Sequence, residues 1–387
     1  MSVPVNAGVY IHVPFCRSKC DYCSFYSVPI GALCDGERPG LFGRYVDRLI
    51  DEIRGRSDET AAYSFDTIYF GGGTPSLLGA PLVARIIDAV RSCFSPSGPD
   101  CEITLECNPE DFSVASLGEY RGAGVNRVVL GVQTLDAQLR GVIGRRAKAP
   151  DTAMLDAFFA MKDIVHCLDI ITGIPGQNGG RLAHELERLL AYRPEHVSAY
   201  ILSIEKDTPL ARRVPDTAGL SLEQRRRFEE LIVIMEESGY THYEVSNFCV
   251  PGFESRHNMK YWTFEPYVGY GPGAHSFYGS RRLYSTQTVE EYLERPSITP
   301  VLDERGKDAA AEEFLLTGLR LRRGITRSAF EKATGSRMTD ALIGEFDRLE
   351  KEGLALVVQG GGDVRFRFTL EGLFHMDGLV ARLAALL

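Results

Sequence analysis

Six apolar runs, rich in β-branched and aromatic residues, punctuate the N-terminal half of the chain. They are GVYIHVP (8–14), TIYFGGG (67–73), EITLECNP (102–109), RVVLGVQT (127–134), LDIITGIP (168–175) and HVSAYILSI (196–204). Between the first two, Phe42, Tyr45, Val46, Leu49, Ile50 and Ile53 recur at the spacing of one helix face. Leu82, Ile86 and Val90 mark a second helix, and 113–121, 151–162 and 181–191 mark three more. Strands that alternate with helices must run parallel, joined by crossovers. Polar and glycine-rich positions follow the strands: a cysteine loop, Gly71–Gly73, Glu106 and Asn108, Gln133, and Pro175–Gln177. In a β/α barrel those strand ends form the functional face. Six units rather than eight predict an α/β fold of the open, partial (β/α)6 barrel type, with a gap that admits a large substrate.

The rest of the chain changes character. Residues 221–237 read as a helix with Phe228, Leu231, Ile232 and Met235 apolar. An aromatic- and glycine-rich stretch, 240–284, has few helix signals, and 285–307 reads as a linker. Helices are expected at 309–321, 326–334 and 338–352, followed by LALVVQGGGDVRFRFTL, a hairpin turning at Gly-Gly-Gly-Asp. Helices plus a hairpin wing predict a small C-terminal winged-helix-like α+β domain. The expected units are 1–238 (barrel), 239–300 (extension) and 301–387 (C-terminal domain).

A chain of 387 residues suits one large domain with an appendage. Lys and Arg number 43 against 52 Asp and Glu, a net charge of -9, and phosphate binding needs a basic face. Winged helices often bind DNA, and RLRRGITR (320–327) is locally basic. The same tail holds EEF, EFDRLEKE and EGL, so it reads as a lid or docking module, with no nucleic-acid partner expected. No apolar run approaches the roughly 20 residues of a membrane span. The N-terminus shows no basic region followed by an apolar one, so the expected location is the cytoplasm.

Three of the nine cysteines crowd into CRSKCDYC, residues 16–23. The others, Cys34, Cys93, Cys101, Cys107, Cys167 and Cys249, are scattered. In a reducing compartment this reads as one metal site plus free thiols. Thiolates hold iron–sulfur clusters one per iron. Three ligands leave one iron of a cubane open, and the amino and carboxylate groups of S-adenosylmethionine can chelate it. An electron from the cluster then breaks a carbon–sulfur bond and releases a 5′-deoxyadenosyl radical. The competing reading is zinc, which usually takes four ligands in two pairs. No second pair stands nearby; His12 precedes the loop on a strand.

YIHVPFCRSKCDYCSF, YFGGGTPS, LECNPED, GVQTLDAQLRGVIGR, DIITGIPGQ, YEVSNF and HNMKYW…YGPGAHS together resemble the radical SAM superfamily. Within it they are similar to the oxygen-independent coproporphyrinogen III oxidase-like group, above all its heme-chaperone branch. The resemblance implies a [4Fe–4S] cluster on Cys16, Cys20 and Cys23. It places Tyr10, Tyr22, Gly72, Gly73, Thr74, Glu106, Gln133, Arg145 and Asp169 around S-adenosylmethionine. It implies heme or a porphyrin, a recipient hemoprotein and an electron donor as partners.

Several residues make chemical sense in these roles. Bare backbone at Gly71–Gly73 permits close approach. Glu106 can accept hydrogen bonds from ribose hydroxyls, and Arg145 can pair with a carboxylate. Asp169 interrupts an apolar strand, where an ionised group is costly unless paired. His257 is the candidate heme ligand, with Tyr261 and Trp262 placed to stack on a porphyrin. The alternative for His257 is a locally hydrogen-bonded structural role, and that role is expected for His275 in its glycine-rich setting.

The chain also departs from the group. Ala147 stands where a histidine is typical, and Ser255 where a cysteine is frequent. Phe25 occupies the position of a further cysteine in the oxidases, and only nine residues precede Tyr10 where oxidases carry a long extension. These two points favour a heme chaperone. The alternative is a radical enzyme of the oxidase kind, converting porphyrinogen propionates to vinyls by oxidative decarboxylation.

Overall fold

The computed structural model describes residues 5–31, 36–94, 98, 100–214, 218–285, 288–294, 301–303 and 308–387. Cys34 lies outside the described residues. Six strands, β1 (Val5–Val13), β2 (Tyr63–Gly72), β3 (Glu102–Cys107), β4 (Arg127–Gln133), β5 (Val165–Thr172) and β6 (His196–Ile201), match the six apolar runs. They pair in chain order, every pair parallel. Chain order is the winding of a β/α barrel rather than of a doubly wound sheet. The crossovers carry α1 (Arg38–Gly55), α2 (Ala80–Cys93), α3 (Val114–Gly122), α4 (Ala137–Val142), α5 (Thr152–Phe159) and α6 (Gly179–Leu190). A long helix, α7 (Ala218–Glu237), follows β6.

Side chains alternate across each strand, and the two faces differ in kind. Val9, Ile11, Val13, Ile68, Phe70, Ile103, Leu105, Val128, Leu130, Val132, Leu168, Ile170, Val197 and Ala199 are buried. They share one core with Phe42, Val46, Leu49, Val83, Ile86, Leu182 and Leu186 of the helices. The intervening positions include Tyr10, His12, Thr67, Tyr69, Thr104, Glu106, Arg127, Asp169 and Ser198. A closed barrel normally fills its interior with branched apolar side chains. Here the inner face is largely polar, so the interior can serve as a chamber.

The chain after α7 adds strands to both edges of this sheet. β7 (Thr241–Glu244) and β8 (Asn247–Cys249) extend one edge, with β8 antiparallel to β6. A short helix, α8 (Arg256–Trp262), leads to the opposite edge. There β9 (Tyr267–Tyr270) pairs parallel with β1, Gly8 opposite Tyr267. β10 (His275–Tyr278), β11 (Arg281–Tyr284) and β12 (Val301–Asp303) follow as antiparallel neighbours. Among the described residues the sheet thus has twelve strands, in the order β12-β11-β10-β9-β1-β2-β3-β4-β5-β6-β8-β7. The stretch read as a linker holds β12 and a helix, α9 (Val289–Glu294), whose Val289 and Tyr292 are buried.

The C-terminal region packs α10 (Ala309–Gly318), α11 (Arg327–Thr334) and α12 (Asp340–Lys351) against a small sheet. That sheet contains β13 (Ile325–Thr326), β14 (Ala355–Gly360) and β15 (Asp363–Phe368), in the order β13-β15-β14. The wing turns at Gly361 and Gly362, with φ of +62° and +79°, the left-handed pair that a two-residue hairpin turn requires. A last helix, α13 (Met376–Ala384), was not expected; its Leu379, Val380 and Leu383 join Phe314, Phe330, Phe346 and Phe366 in a second core. The basic run is largely engaged. The Arg320 guanidinium lies 4.9 Å over the Trp262 ring, and Arg327 pairs with Glu331 at 3.1 Å. Backbone bonds from Val245 N–H to the Arg320 carbonyl (3.1 Å) and from Arg322 N–H to the Tyr243 carbonyl (3.0 Å) tie this region to the sheet edge.

Candidate functional site

The cysteine loop leaves the C-terminal end of β1. Two-residue strands, Phe15–Cys16 and Val28–Pro29, pair and carry the chain out and back. From outside, Arg17 binds Asp111 at 2.6 Å and Arg213 binds Asp21 at 2.5 Å. Inside, the Thr74 hydroxyl lies 3.5 Å from the Cys16 sulfur and Arg145 Nη1 lies 3.6 Å from the Cys20 sulfur. Burial pushes the Cys16 and Cys23 thiols up, and neighbouring cysteine charge adds to the shift. Thiolates that repel one another need a cationic body between them. Among the described residues no three His, Cys, Asp or Glu side chains converge on a single metal ion.

Beside the loop lies a cleft of about 380 Å³, within the range of small-molecule sites. Cys16, Cys20, Cys23, Tyr22, Gly72, Gly73, Thr74, Glu106, Gln133, Arg145 and Asp169 line it. Of the residues expected around S-adenosylmethionine, Tyr10 alone is elsewhere. It sits deeper, its hydroxyl 3.1 Å from His12 Nδ1 and its ring stacked on Tyr69 at 6.2 Å. The glycines serve the protein first. A Cβ on Gly73 would meet the Phe15 carbonyl at 2.5 Å, and one on Gly72, at φ +103°, would meet the His12 ring at 2.6 Å. Gly73 N–H donates to Val13 (2.8 Å) and Thr74 N–H to Phe15 (2.7 Å), which stitches the end of β2 to the start of the loop.

Arg145 is fixed before any ligand arrives. Its Nη2 donates to Asn108 Oδ1 at 2.6 Å and to the Gly131 carbonyl at 2.8 Å. Asn108 Nδ2 in turn donates to the Thr74 hydroxyl at 3.0 Å. Asn108 is therefore the link between two cleft residues, a role its sequence position at a strand end did not reveal. Gln133 has φ +65°, left-handed for a non-glycine residue, at a register shift of β4 against β5. Such backbone is costly and concentrates at functional sites. Tyr200, Ile201, Leu202 and Ser203 at the end of β6 complete the wall.

Two carboxyls occupy the floor. Tyr69 donates its hydroxyl to Glu106 Oε1 at 2.8 Å. Burial, then the charge of Asp169, pushes Glu106 up to about 8. Burial pushes Asp169 up to about 6, against the opposing pull of the Ser198 hydroxyl and of Arg145 and Arg127. Asp169 Oδ1 is buried without a hydrogen-bond partner. Buried acceptors without donors are rare in native proteins and call for an explanation.

His257 lies at the other end of the barrel. It contacts Gly8 and Thr67 in β1 and β2, and its N–H donates to Glu102 Oε1, at the start of β3, at 3.1 Å. Its side chain is 0% exposed. Nδ1 is 2.8 Å from the Thr67 hydroxyl and Nε2 is 2.9 Å from the Tyr261 hydroxyl. Burial and the Lys260 charge push it down to about 3, so the ring is neutral. A neutral imidazole has one donor and one acceptor nitrogen, and both are used. An axial iron ligand needs a free lone pair, so binding iron would require His257 to release one of these two partners. The stacking expected of its neighbours is also taken up. Tyr261 packs edge-on against Tyr267 at 4.6 Å, and Trp262 lies beneath Arg320. His275 opens strand β10 and stacks on Tyr284 at 5.8 Å.

A family model for the radical SAM superfamily matches residues 10–189, and one for the HemN C-terminal domain matches residues 307–375. The heme chaperone HemW of Mycobacterium tuberculosis (strain ATCC 25618 / H37Rv) is 34% identical over 372 residues, 92% of this chain and 91% of that protein. The heme chaperone HemW of Escherichia coli (strain K12) is 32% identical over 344 residues, 85% of this chain and 86% of its own. The chain belongs to the HemW-like branch of the radical SAM superfamily. Among solved structures, the coproporphyrinogen III oxidase HemN of Escherichia coli, a radical SAM enzyme, superposes with a TM-score of 0.79. It covers 99% of this chain and 91% of HemN at 20% identity, a likeness of fold.

Radical SAM membership implies a [4Fe–4S] cluster and S-adenosylmethionine, and the residues present fit both. The charges of Cys16, Cys20 and Cys23 disfavour one another's ionisation, which a cationic core would relieve. Asp169 Oδ1 lacks a hydrogen-bond donor, which a ribose hydroxyl would supply. A sulfonium nearby favours the ionised forms of Asp169 and Glu106.

Proposed function

We propose that this HemW-like chain is a heme chaperone, which holds a [4Fe–4S] cluster on Cys16, Cys20 and Cys23, binds S-adenosylmethionine in the adjoining cleft, and delivers heme to a hemoprotein. The observation that carries this reading is Phe25. It ends the cysteine loop, lines the cleft, and is 67% exposed. A phenyl ring held in water at the mouth of a cleft is suited to meet a flat apolar face. The walls behind it include Val129, Ile171, Ile201 and Leu202. Lys19, whose Nζ donates to the Phe25 carbonyl at 3.2 Å, puts a cation where a propionate would lie. A cysteine at the Phe25 position is the mark of the oxidases, so its replacement argues for binding over decarboxylation.

S-adenosylmethionine, when bound, supplies a sulfonium whose carbon–sulfur bond one electron from the cluster can cleave. Thr74 and Arg145 orient the cluster side of the cleft. Glu106 and Asp169 hold the ligand from below, and the apolar wall keeps water from the gap. An electron donor is the third partner. The proposed location is the cytoplasm, where a reducing compartment would keep the five described cysteines outside the cluster loop as thiols. No helix among the described residues is long and apolar enough to cross a membrane.

The test is anaerobic. Cluster-reconstituted protein is titrated with heme and followed by absorbance, and is separately given coproporphyrinogen III, S-adenosylmethionine and a reductant. Saturable heme binding without protoporphyrinogen is expected, with Phe25→Ser weakening heme affinity about tenfold, the scale of one good aromatic contact. Protoporphyrinogen formation overturns the chaperone reading in favour of an oxidase.

A further inference from the structure

We infer that Glu185, on helix α6 behind the barrel wall, is a positioning residue for S-adenosylmethionine: it holds the backbone turn that points Gln133 into the cleft. The inference rests on the proposed role of Gln133 in binding that ligand.

The turn is an unusual piece of backbone. Thr134 N–H donates to the Val132 carbonyl at 2.9 Å, two residues back, and closes a three-residue turn around Gln133. Gln133 has φ +65°. A γ-turn with a positive φ at its centre is rare and strained, and glutamine lacks the freedom that glycine has there. The strand is also out of step at this point. Gly131 stands opposite Asp169 and Gln133 opposite Ile170, so Val132 is the extra residue of a bulge. Bulges next to a site re-aim a side chain. Here Gln133 lines the cleft, while Val132 is buried in the core behind it. Gly131 leaves the room that this needs: a Cβ there would come within 3.3 Å of both Gln133 Nε2 and Arg145 Nη2. Gln133 and Arg145 therefore reach the cleft side by side.

Two buried side chains hold the turn. Arg140 in α4 takes its carbonyls. Its Nη1 donates to Val132 at 2.9 Å and to Thr134 at 2.8 Å, one on each side of Gln133, and its Nη2 donates to the Ala147 carbonyl. Glu185 takes the donors. Its carboxylate accepts from the Thr134 hydroxyl at 3.2 Å and from the Leu135 N–H. The Thr134 hydroxyl accepts in turn from Asp136 N–H at 3.1 Å, so one carboxylate anchors three successive residues. Glu185 and Thr134 are both buried. A buried carboxylate is costly unless it is bonded, and the bonds Glu185 makes go to this turn. Helix α6 does not need it for docking, because Leu182, Leu186 and Leu189 already pack that face. The carboxylate serves the turn rather than the helix. Released from it, strained backbone relaxes toward negative φ and Gln133 swings away from the cleft.

The experiment measures S-adenosylmethionine binding to cluster-reconstituted protein by calorimetry, with iron content and heme absorbance recorded in parallel. Gln133→Ala sets the scale and should lower affinity about tenfold. Glu185→Ala should lose a similar factor with iron content and heme absorbance unchanged. The double variant should bind no more weakly than Gln133→Ala alone, because Glu185 acts through Gln133. Glu185→Gln can still accept from the Leu135 N–H, and its amide can donate to the Thr134 oxygen. It should stay within about twofold of wild type. If Glu185→Ala does not fold, Thr134→Val takes its place in the same cycle. Wild-type affinity in Glu185→Ala overturns the inference alone. Losses that multiply in the double variant also overturn it, because they make Glu185 a general support of the fold. Full affinity in Gln133→Ala removes the premise and the inference with it. Wild-type protein that fails to bind S-adenosylmethionine overturns the functional reading beneath it.

Discussion

The two ends of the barrel handle buried polarity in opposite ways. At the N-terminal end, charges meet charges. Arg127 faces Glu102 at 3.7 Å, both nearly buried, and Asp66 takes Lys260 at 2.8 Å and Arg256 at 3.5 Å. At the C-terminal end, Asp169 Oδ1 and Arg145 Nε are buried without hydrogen-bond partners, and three thiols share one loop. The same inner face runs through both ends, so strand chemistry does not set the difference. Closure does: α8 and its ion pairs shut one end, while the other is left to a ligand. Charges at the closed end are paired within the chain, although Arg127 Nη2 also lacks a hydrogen-bond partner there, while Asp169 at the open end is left for a ligand to meet.

The largest break in that comparison is made at the cysteines. Cys16→Ser, Cys20→Ser or Cys23→Ser should each reduce iron and sulfide content after reconstitution from about four of each per chain to nearly none. Cys93→Ser, a half-buried cysteine on α2, should leave both unchanged. A serine variant at Cys20 that keeps its full iron would detach that residue from the cluster.

The closed end predicts a different loss. Glu102→Gln removes the partner of Arg127 and weakens the acceptor for the His257 and Arg256 backbone N–H groups. An uncompensated buried guanidinium costs about 3–5 kcal/mol. Denaturant unfolding should show a loss of that order, with reconstituted iron content intact at low temperature. Loss of the cluster without loss of stability would mean the two ends are not distinct.

Much of this arrangement was legible in the residues, and the illegible part has a physical reason. Strands β1 to β6 stand out because β-branched runs and helical spacing are local patterns. The cysteine loop is legible because its ligands lie within eight residues, 16–23. Strand β9, YVGY, is four residues long, and its partner is β1, at the opposite end of the chain. Nothing local marks such pairing. Asn108 shows as polar at a strand end, but its partners, Thr74 and Arg145, lie 34 and 37 residues away. The clearest case is His257. HNMKYW reads as a ligand motif, and the partner of its Nδ1, the Thr67 hydroxyl, lies 190 residues away. Helix α9, VEEYLE, offers one apolar pair three residues apart, too little to separate a helix from a linker.

The sharpest comparison is also the smallest in size, and it turns on sign. Burial raises Glu106 from 4.5 to about 8 and Asp169 from 3.8 to about 6. Between those limits the folded chain holds protons that the unfolded chain has released. Stability must therefore fall as pH rises across roughly pH 4 to 8 in protein without S-adenosylmethionine. Glu106→Gln removes the larger of the two shifts. The variant should match wild type near pH 5, where Glu106 is already neutral, and exceed it near pH 8 by a few degrees in Tm. Adding S-adenosylmethionine should narrow the gap, because the ligand stabilises the ionised carboxylate of wild type. A carboxylate-to-amide change thus stabilises at the open end and destabilises at the closed one. Should Glu106→Gln instead lower Tm at pH 8 without ligand, Glu106 is paired inside the chain like Glu102, and the contrast between the two ends fails at its most discriminating residue.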